Sequence, residues 1–226
     1  MSKPEPLNEY EDYLLQEWNQ FLADPSRANA TLEAAAGLEL RRVLDLGCGA
    51  GQEMLPLIRK GAFGVGLDYD AGSGPVGKRM FTPQEAAFLR GSGETLPFRD
   101  ASFDVLVCRL AIPYMDNAKA LAEMSRVLRP QGRLLLKIHA APYYVRKVWT
   151  GIRNADPLFS IHALRVLAAG AVYTLTGKQA PAGLWTKEVF LSERLLKREL
   201  RKIGMEMRGT LPDTNFRTPS YVIAKL

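Results

Sequence analysis

Residues 43–52 read Val-Leu-Asp-Leu-Gly-Cys-Gly-Ala-Gly-Gln, an apolar run carrying one acid, Asp45, followed by glycines at 47, 49 and 51. A short apolar strand that empties into such a loop and then opens a helix is a nucleotide-cradling turn. Glycine permits backbone angles closed to other residues and lets a ligand come close to the main chain. The pattern is Gly-x-Gly-x-Gly and not Gly-x-Gly-x-x-Gly, because Gln stands at position 52. This disfavours a dinucleotide fingerprint, whose third glycine supports helix packing beside a pyrophosphate. A ligand without phosphates has no need of that helix-dipole anchor. Asp68 lies 17 residues beyond Gly51, at the end of the next apolar run. A carboxylate there accepts two hydrogen bonds from a ribose diol.

The remaining periodicity alternates. Apolar runs at 42–46, 63–67, 87–90, 103–108 and 133–138 read as strands. Helical spacing marks 8–22, 52–60 closed by Gly61, and 117–128 capped by Asp116 and ended by Pro130 and Gly132. The glycine-rich segment 70–77 is expected to be a loop, and 78–86, interrupted by Pro83, at most weakly helical. Runs apolar on both faces imply a parallel sheet covered by helices, hence an α/β architecture. Residues 140–188 break the rhythm with Tyr143, Tyr144, Trp149, Phe159, Tyr173 and Trp185, and are too long for an ordinary connection. They are read as a cap of two helices over the carboxyl edge of the sheet. A helix at 192–203 and a hairpin at 205–211 and 220–225 complete the chain.

A chain of 226 residues with 47% hydrophobic and 24% charged residues suits one domain, with the cap inserted in it. The two cysteines, Cys48 and Cys108, sit in apolar strand contexts and read as buried thiols. No histidine–cysteine cluster has metal-ligand spacing. The first residues are too acidic for a signal peptide, and the longest apolar stretch, 163–176, contains Arg165 and falls short of the ~18 residues of a membrane span. A cytoplasmic protein is the expectation. Residues 1–140 hold 16 Lys+Arg and 18 Asp+Glu, whereas 141–226 hold 14 and 6. A basic carboxy-terminal third suits an anionic substrate, a membrane surface or nucleic acid, or is simply a solvated face. The basic helix 192–203 lacks interleaved aromatic residues that would stack bases, so nucleic acid is disfavoured.

Five ordered motifs together resemble the class I S-adenosylmethionine-dependent methyltransferases, of the small-molecule type related to the ubiquinone and menaquinone methyltransferases. They are Val-Leu-Asp-Leu-Gly-Cys-Gly-Ala-Gly, Gly-Val-Gly-Leu-Asp, Gly-Ser-Gly-Glu-Thr-Leu-Pro-Phe (91–98), Phe-Asp-Val-Leu-Val-Cys (103–108) and Val-Leu-Arg-Pro-Gln-Gly-Arg-Leu-Leu-Leu (127–136). The resemblance covers roughly 41–138 and the elements after 188. It implies a Rossmann-like seven-stranded sheet, mostly parallel with an antiparallel last strand, and S-adenosylmethionine as cofactor. It places Asp45, Gly47, Cys48, Gly49 and Gly51 against the methionine part and Asp68 on the ribose hydroxyls. Tyr69 would pack on the adenine, Gly93 would offer its N–H to that ring, and Ser92 would replace the usual aspartate that receives the amino group. Arg109 follows the fourth strand, where the family often touches the cofactor; an ion pair or an anionic acceptor are its other readings.

A sulfonium methyl is already activated, so the protein must mainly position an acceptor and exclude water. A base is needed only where the attacking atom carries a proton. His139, just past the fifth strand, is the base candidate, against the plainer reading of a structural histidine. His162 reads as a surface or packing residue. Tyr114, Tyr143 and Tyr144 are candidate walls of the acceptor pocket. Ile112-Pro113-Tyr114 comes too late after the strand to match the Asn/Asp-Pro-Pro-Tyr element of amine methyltransferases acting on bases. The expected activity is methyl transfer to an oxygen or carbon of a small molecule. The competing readings are a non-catalytic cofactor-binding module working through protein partners and, disfavoured by Gln52, an NAD-dependent oxidoreductase.

Overall fold

In the computed structural model, residues 9–179 and 187–226 are described; Trp185 and part of the expected cap lie outside them. Seven strands form one sheet: β1 (Arg42–Leu46), β2 (Phe63–Asp68), β3 (Ala86–Arg90), β4 (Phe103–Arg109), β5 (Leu128–Lys137), β6 (Met205–Thr210) and β7 (Ser220–Lys225). Their order is β3-β2-β1-β4-β5-β7-β6. Every pairing among β1 to β5 is parallel, and β7 runs antiparallel to both β5 and β6. The order reverses between β1 and β4. A crevice therefore opens beyond their carboxyl ends, the place where open α/β sheets bind ligands.

Side chains alternate across each strand and so divide the core in two. Leu44, Leu46, Leu106, Leu134 and Leu136 face α5 (Asn117–Val127) and α8 (Glu193–Lys202). Val43, Val105, Val107 and Leu135 face α2 (Pro25–Ala34) and α3 (Leu55–Ile58). Asp45 shares the second face with Val43, which buries its carboxyl under α2 and α3. α1 (Glu9–Ala23) lies over the glycine loop, with Leu14 packed beside Ala50 and Val76. The inserted helices are α6 (Ala141–Arg153) and α7 (Pro157–Thr176), crossing closely at Gly151, where a Cβ would lie 2.2 Å from Ser160 Oγ.

Four local expectations change. Residues 70–77 are not a loop: α4 (Ser73–Met80) begins there, with Gly72 N–H donating to Asp70 Oδ1 at 2.7 Å and buried Ser73 bonded to Tyr10 at 3.0 Å. Gly77 within it serves packing. A Cβ at Gly77 would fall 2.2 Å from the Phe88 ring and one at Gly66 2.6 Å from it, so the ring is boxed between helix and sheet. The expected helix at 52–60 is a 3₁₀ turn, Gln52–Met54, followed by the single turn of α3, whose Pro56 supplies no N–H. β5 starts at Leu128, because Pro130 and Gly132 lie in an irregularity between the Phe103–Leu128 and Val105–Arg133 pairings, with Gln131 at φ 64°. α7, at 20 residues, is long and apolar enough by length and composition to cross a membrane, although its inner face is packed into the fold.

Helix α2 was not anticipated by periodicity. Its start was nonetheless legible: Asp24 caps it by accepting from Ser26 N–H at 3.0 Å, with Pro25 at the first helical position. Gly77→Ala is expected to destabilise the fold by about 1–3 kcal/mol through overpacking against Phe88. The check is a lowered urea midpoint at unchanged slope.

Candidate functional site

Beyond the carboxyl ends of β1, β2, β4 and β5 lies a cavity of about 700 Å³. Asp45, Gly47, Cys48, Gly49, Asp68, Arg109, Tyr114, His139 and Tyr143 all border it, and α1 contributes Tyr10, Tyr13, Leu14 and Glu17. A larger hollow of about 880 Å³ lies between α2 and the β6–β7 edge, away from the glycine loop.

The loop is held by β2. Gly47 and Cys48 N–H donate to Leu67 O at 2.8 and 3.3 Å, and Gly49 N–H donates to Asp68 Oδ2 at 2.9 Å. Gly47, Gly49 and Gly51 take φ of 72°, 52° and 84°. A Cβ at Gly47 would sit 2.3 Å from Ala111 Cβ, and one at Gly49 would sit 3.0 Å from Leu14. The loop is thus both left-handed and closely approached, the two situations that require glycine. Asp45 is almost wholly buried, and its Oδ2 has no hydrogen-bond partner among the described residues. Burial, reinforced by the charges of Glu53 and Asp68, raises its pKa well above the ordinary carboxylate value. An unpartnered buried carboxyl oxygen beside a bare backbone cradle fits a cofactor with a cationic, hydrogen-bonding methionine portion.

The remaining expected contacts divide. Tyr69 is exposed (76%) and does not border the cavity. Ser92 accepts from Glu94 N–H at 3.2 Å in a local turn, and buried Gly93 packs under Met115 and Leu46, so neither reaches the cavity wall. Gly51 shapes the turn, donating to Cys48 O at 2.7 Å. Arg109 borders the cavity but is committed to Glu53 at 3.0 Å and to Asp213. Burial opposes its charge, yet the two carboxylates outweigh burial and raise its pKa.

Arg109 belongs to a chain of charges that the sequence reading missed. Arg27 pairs with Glu53, Glu53 with Arg109, Arg109 with Asp213, and Asp213 with Lys137 at 2.7 Å. Burial pushes the Asp213 carboxyl up, but Arg109 and Lys137 prevail and hold it down to about 2. Asp213 stands 104 residues from Arg109, beyond any local pattern. Glu53 and Lys137 did leave a trace, as single charges set within apolar runs. The cavity wall carries six acids (Glu17, Asp24, Asp45, Glu53, Asp68, Asp213) and three cations (Arg27, Arg109, Lys137). It is acidic within a chain of net charge +6.

His139 is buried and stacks on Tyr143, the rings 3.8 Å apart and 3° from parallel. Its Nδ1 lies 3.3 Å from the Tyr144 hydroxyl, which donates its one proton to Glu188 Oε1 at 2.7 Å. That commitment assigns the Nδ1–H tautomer, with Tyr144 oxygen as acceptor and a lone pair left on Nε2. Glu188 Oε2 also meets His162 Nε2 at 2.8 Å, which places His162 in the same chain of contacts. Burial lowers the His139 pKa to about 4, so the ring is neutral at physiological pH. Burial and then Glu188 raise the pKa of the Tyr144 and Tyr114 hydroxyls, which stay protonated.

Residues 44–136 match the methyltransferase domain family. A demethylmenaquinone methyltransferase of Beutenbergia cavernae is 37% identical over 114 residues, which cover 50% of this chain and 47% of that protein. The chain thus spans about half the length of the curated relatives it matches. Two solved structures share the fold across nearly the whole chain. The putative methyltransferase solved with a Haloferax volcanii methyltransferase activator has TM-score 0.63 at 17% identity, covering 98% of this chain and 99% of that one. The magnesium protoporphyrin IX methyltransferase of Synechocystis, with bound S-adenosylhomocysteine, has TM-score 0.62 at 14% identity, covering 99% and 90%. The family match makes residues 44–136 similar to the methyltransferase domain, and the solved structures show that the chain shares their fold.

Proposed function

We propose that this protein transfers the methyl group of S-adenosylmethionine to an oxygen or carbon of a small molecule. The observation that carries the reading is the left-handed glycine cradle at the point where strand order reverses, beside an unpartnered buried Asp45 oxygen and Asp68. The bound cofactor supplies an electrophilic methyl on a sulfonium. Asp45 and the backbone carbonyls of Gly47–Gly49 would hold its methionine part, and Asp68 its ribose. An excess of acids on the wall favours a cationic occupant.

The chain's own residues then have three tasks. Tyr114 would form an apolar wall against which an acceptor lies, beside the stacked pair of His139 and Tyr143. Helix α1 and the helices α6 and α7 would exclude water from the reacting atoms. Where the acceptor carries a proton, His139 Nε2 would receive it, its ring fixed by Tyr143 stacking and by the bond to Tyr144. Glu188, through Tyr144, would steady the imidazolium formed. Arg109 has its guanidinium taken up by Glu53 and Asp213, and the wall is acidic; both favour an uncharged acceptor over an anionic one. The relatives named demethylmenaquinone methyltransferases agree with an apolar aromatic acceptor. A pure binding module would have no need of a neutral histidine oriented in this way.

Calorimetry should give binding of S-adenosylhomocysteine and none of NAD; the reverse result rejects the proposal. Asp68→Ala should weaken that binding about tenfold or more, the scale of losing bonds to a charged acceptor. His139→Gln should lower methyl transfer at least about tenfold while cofactor affinity stays unchanged. With His139 titrating at about 4, the base form persists above that value. Activity of the wild type should therefore show no inflection near pH 6.5 and should fall only as pH approaches 4.

A further inference from the structure

The inserted hairpin carries apolar surface that the described residues leave uncovered. Trp149 and Ile152 on α6 are 62% and 57% exposed, and Leu158 and Leu175 near the two ends of α7 are 77% and 83% exposed, with Leu164 between them at 52%. On α6, Val145, Trp149 and Ile152 recur at helical spacing, and on α7 Leu158, Ile161 and Leu164 do the same. The opposite side of α7 holds Ala163, Val166, Ala169 and Tyr173 in the core, and a Cβ at Gly170 would meet Phe190 at 2.2 Å. A helix pinned along one side presents the other as a surface. An exposed apolar helix face held in this way suits the interface plane of a bilayer and not a crossing of it.

Charge singles out the occupant. Residues 141–179 hold five Lys and Arg against one acid, Asp156. At the foot of the hairpin a hollow of about 320 Å³ is bordered by Arg146, Lys147 and Arg217 with Thr150, Asn215 and Thr218, and among the described residues no carboxylate borders it. Lys147 Nζ stands 5.1 Å from the Tyr143 ring and 5.5 Å from that of Phe159, and exposed Phe216 lies under Arg217 at 4.8 Å. Basic groups among exposed aromatic and aliphatic side chains complement anionic headgroups above an apolar interior. A second copy of this face would instead set cations against cations.

We propose that the α6–α7 hairpin is a docking surface for an anionic lipid bilayer, with a headgroup phosphate seated between Arg146, Lys147 and Arg217. Tyr143 borders both this hollow and the cavity beneath the glycine loop, so the docked protein opens toward the lipid. An apolar acceptor then arrives from the membrane; that part rests on the transfer reaction proposed above, whereas the docking does not.

Flotation of the full chain with vesicles of phosphatidylcholine and phosphatidylglycerol tests this, with phosphatidylcholine alone as control. Protein should rise with the anionic vesicles, and high salt should release it. Leu158→Asp combined with Leu175→Asp should cut the bound fraction about tenfold or more. Arg146→Glu, a substitution at an exposed site, should cut it about fivefold, the scale of one basic contact. Both variants should still bind S-adenosylhomocysteine. Equal behaviour with the two vesicle types, or a wild-type dimer that the double variant disperses without any vesicle binding, overturns the docking surface. Wild-type protein that floats with the anionic vesicles but does not bind S-adenosylhomocysteine would instead reject the transfer reaction alone.

Discussion

The site depends on the short tether between the glycine loop and the second strand. The three N–H donors of Gly47, Cys48 and Gly49 all turn toward β2, two to the Leu67 carbonyl and one to the Asp68 carboxylate. This binds the turn after β1 to the next strand over, so that loop, carboxylate and sheet edge move as one piece. The arrangement exists only because glycine occupies the left-handed positions. A side chain at Gly47 would run into Ala111 on the far side of the crevice. Backbone conformation, sheet topology and the shape of the cavity are therefore a single constraint.

The second organising element is electrostatic. The line of alternating charges from Arg27 to Lys137 joins α2, the turn after the glycine loop, the ends of β4 and β5, and the β6–β7 connection. These parts lie far apart in the chain and meet at the cavity floor. Buried ion pairs contribute little net stability when complete, because desolvation offsets their attraction; removing one partner is costly. The network thus acts as a geometric lock, holding the cavity wall in register. It also takes up the Arg109 guanidinium between Glu53 and Asp213.

Most of the sheet was legible in the sequence because buried parallel strands write themselves as continuous apolar runs. β1, β2, β4 and β7 were placed to within a residue, and Asp116 was recognised as a helix cap. α4 was hidden because its glycines suggest a loop, and only the ring of Phe88, brought up by β3, shows why Gly77 is there. Within the site, Asp45, Gly47, Cys48, Gly49, Asp68, Tyr114, His139 and Tyr143 meet around one cavity. Tyr69, Ser92 and Gly93 do not reach it, since exposure, a turn bond and close packing claim them. Glu188 was invisible to local pattern: its meaning comes from Tyr144 and His162, 44 and 26 residues away.

The acid-rich wall has a kinetic corollary. Under the proposed reaction the donor enters as a sulfonium cation and leaves as an uncharged thioether, while the six carboxyl side chains around it stay in place. The same field that recruits fresh donor loses its grip once the methyl has gone. Turnover would then carry its own ejection signal, with the spent molecule displaced by incoming donor without any rearrangement of the sheet.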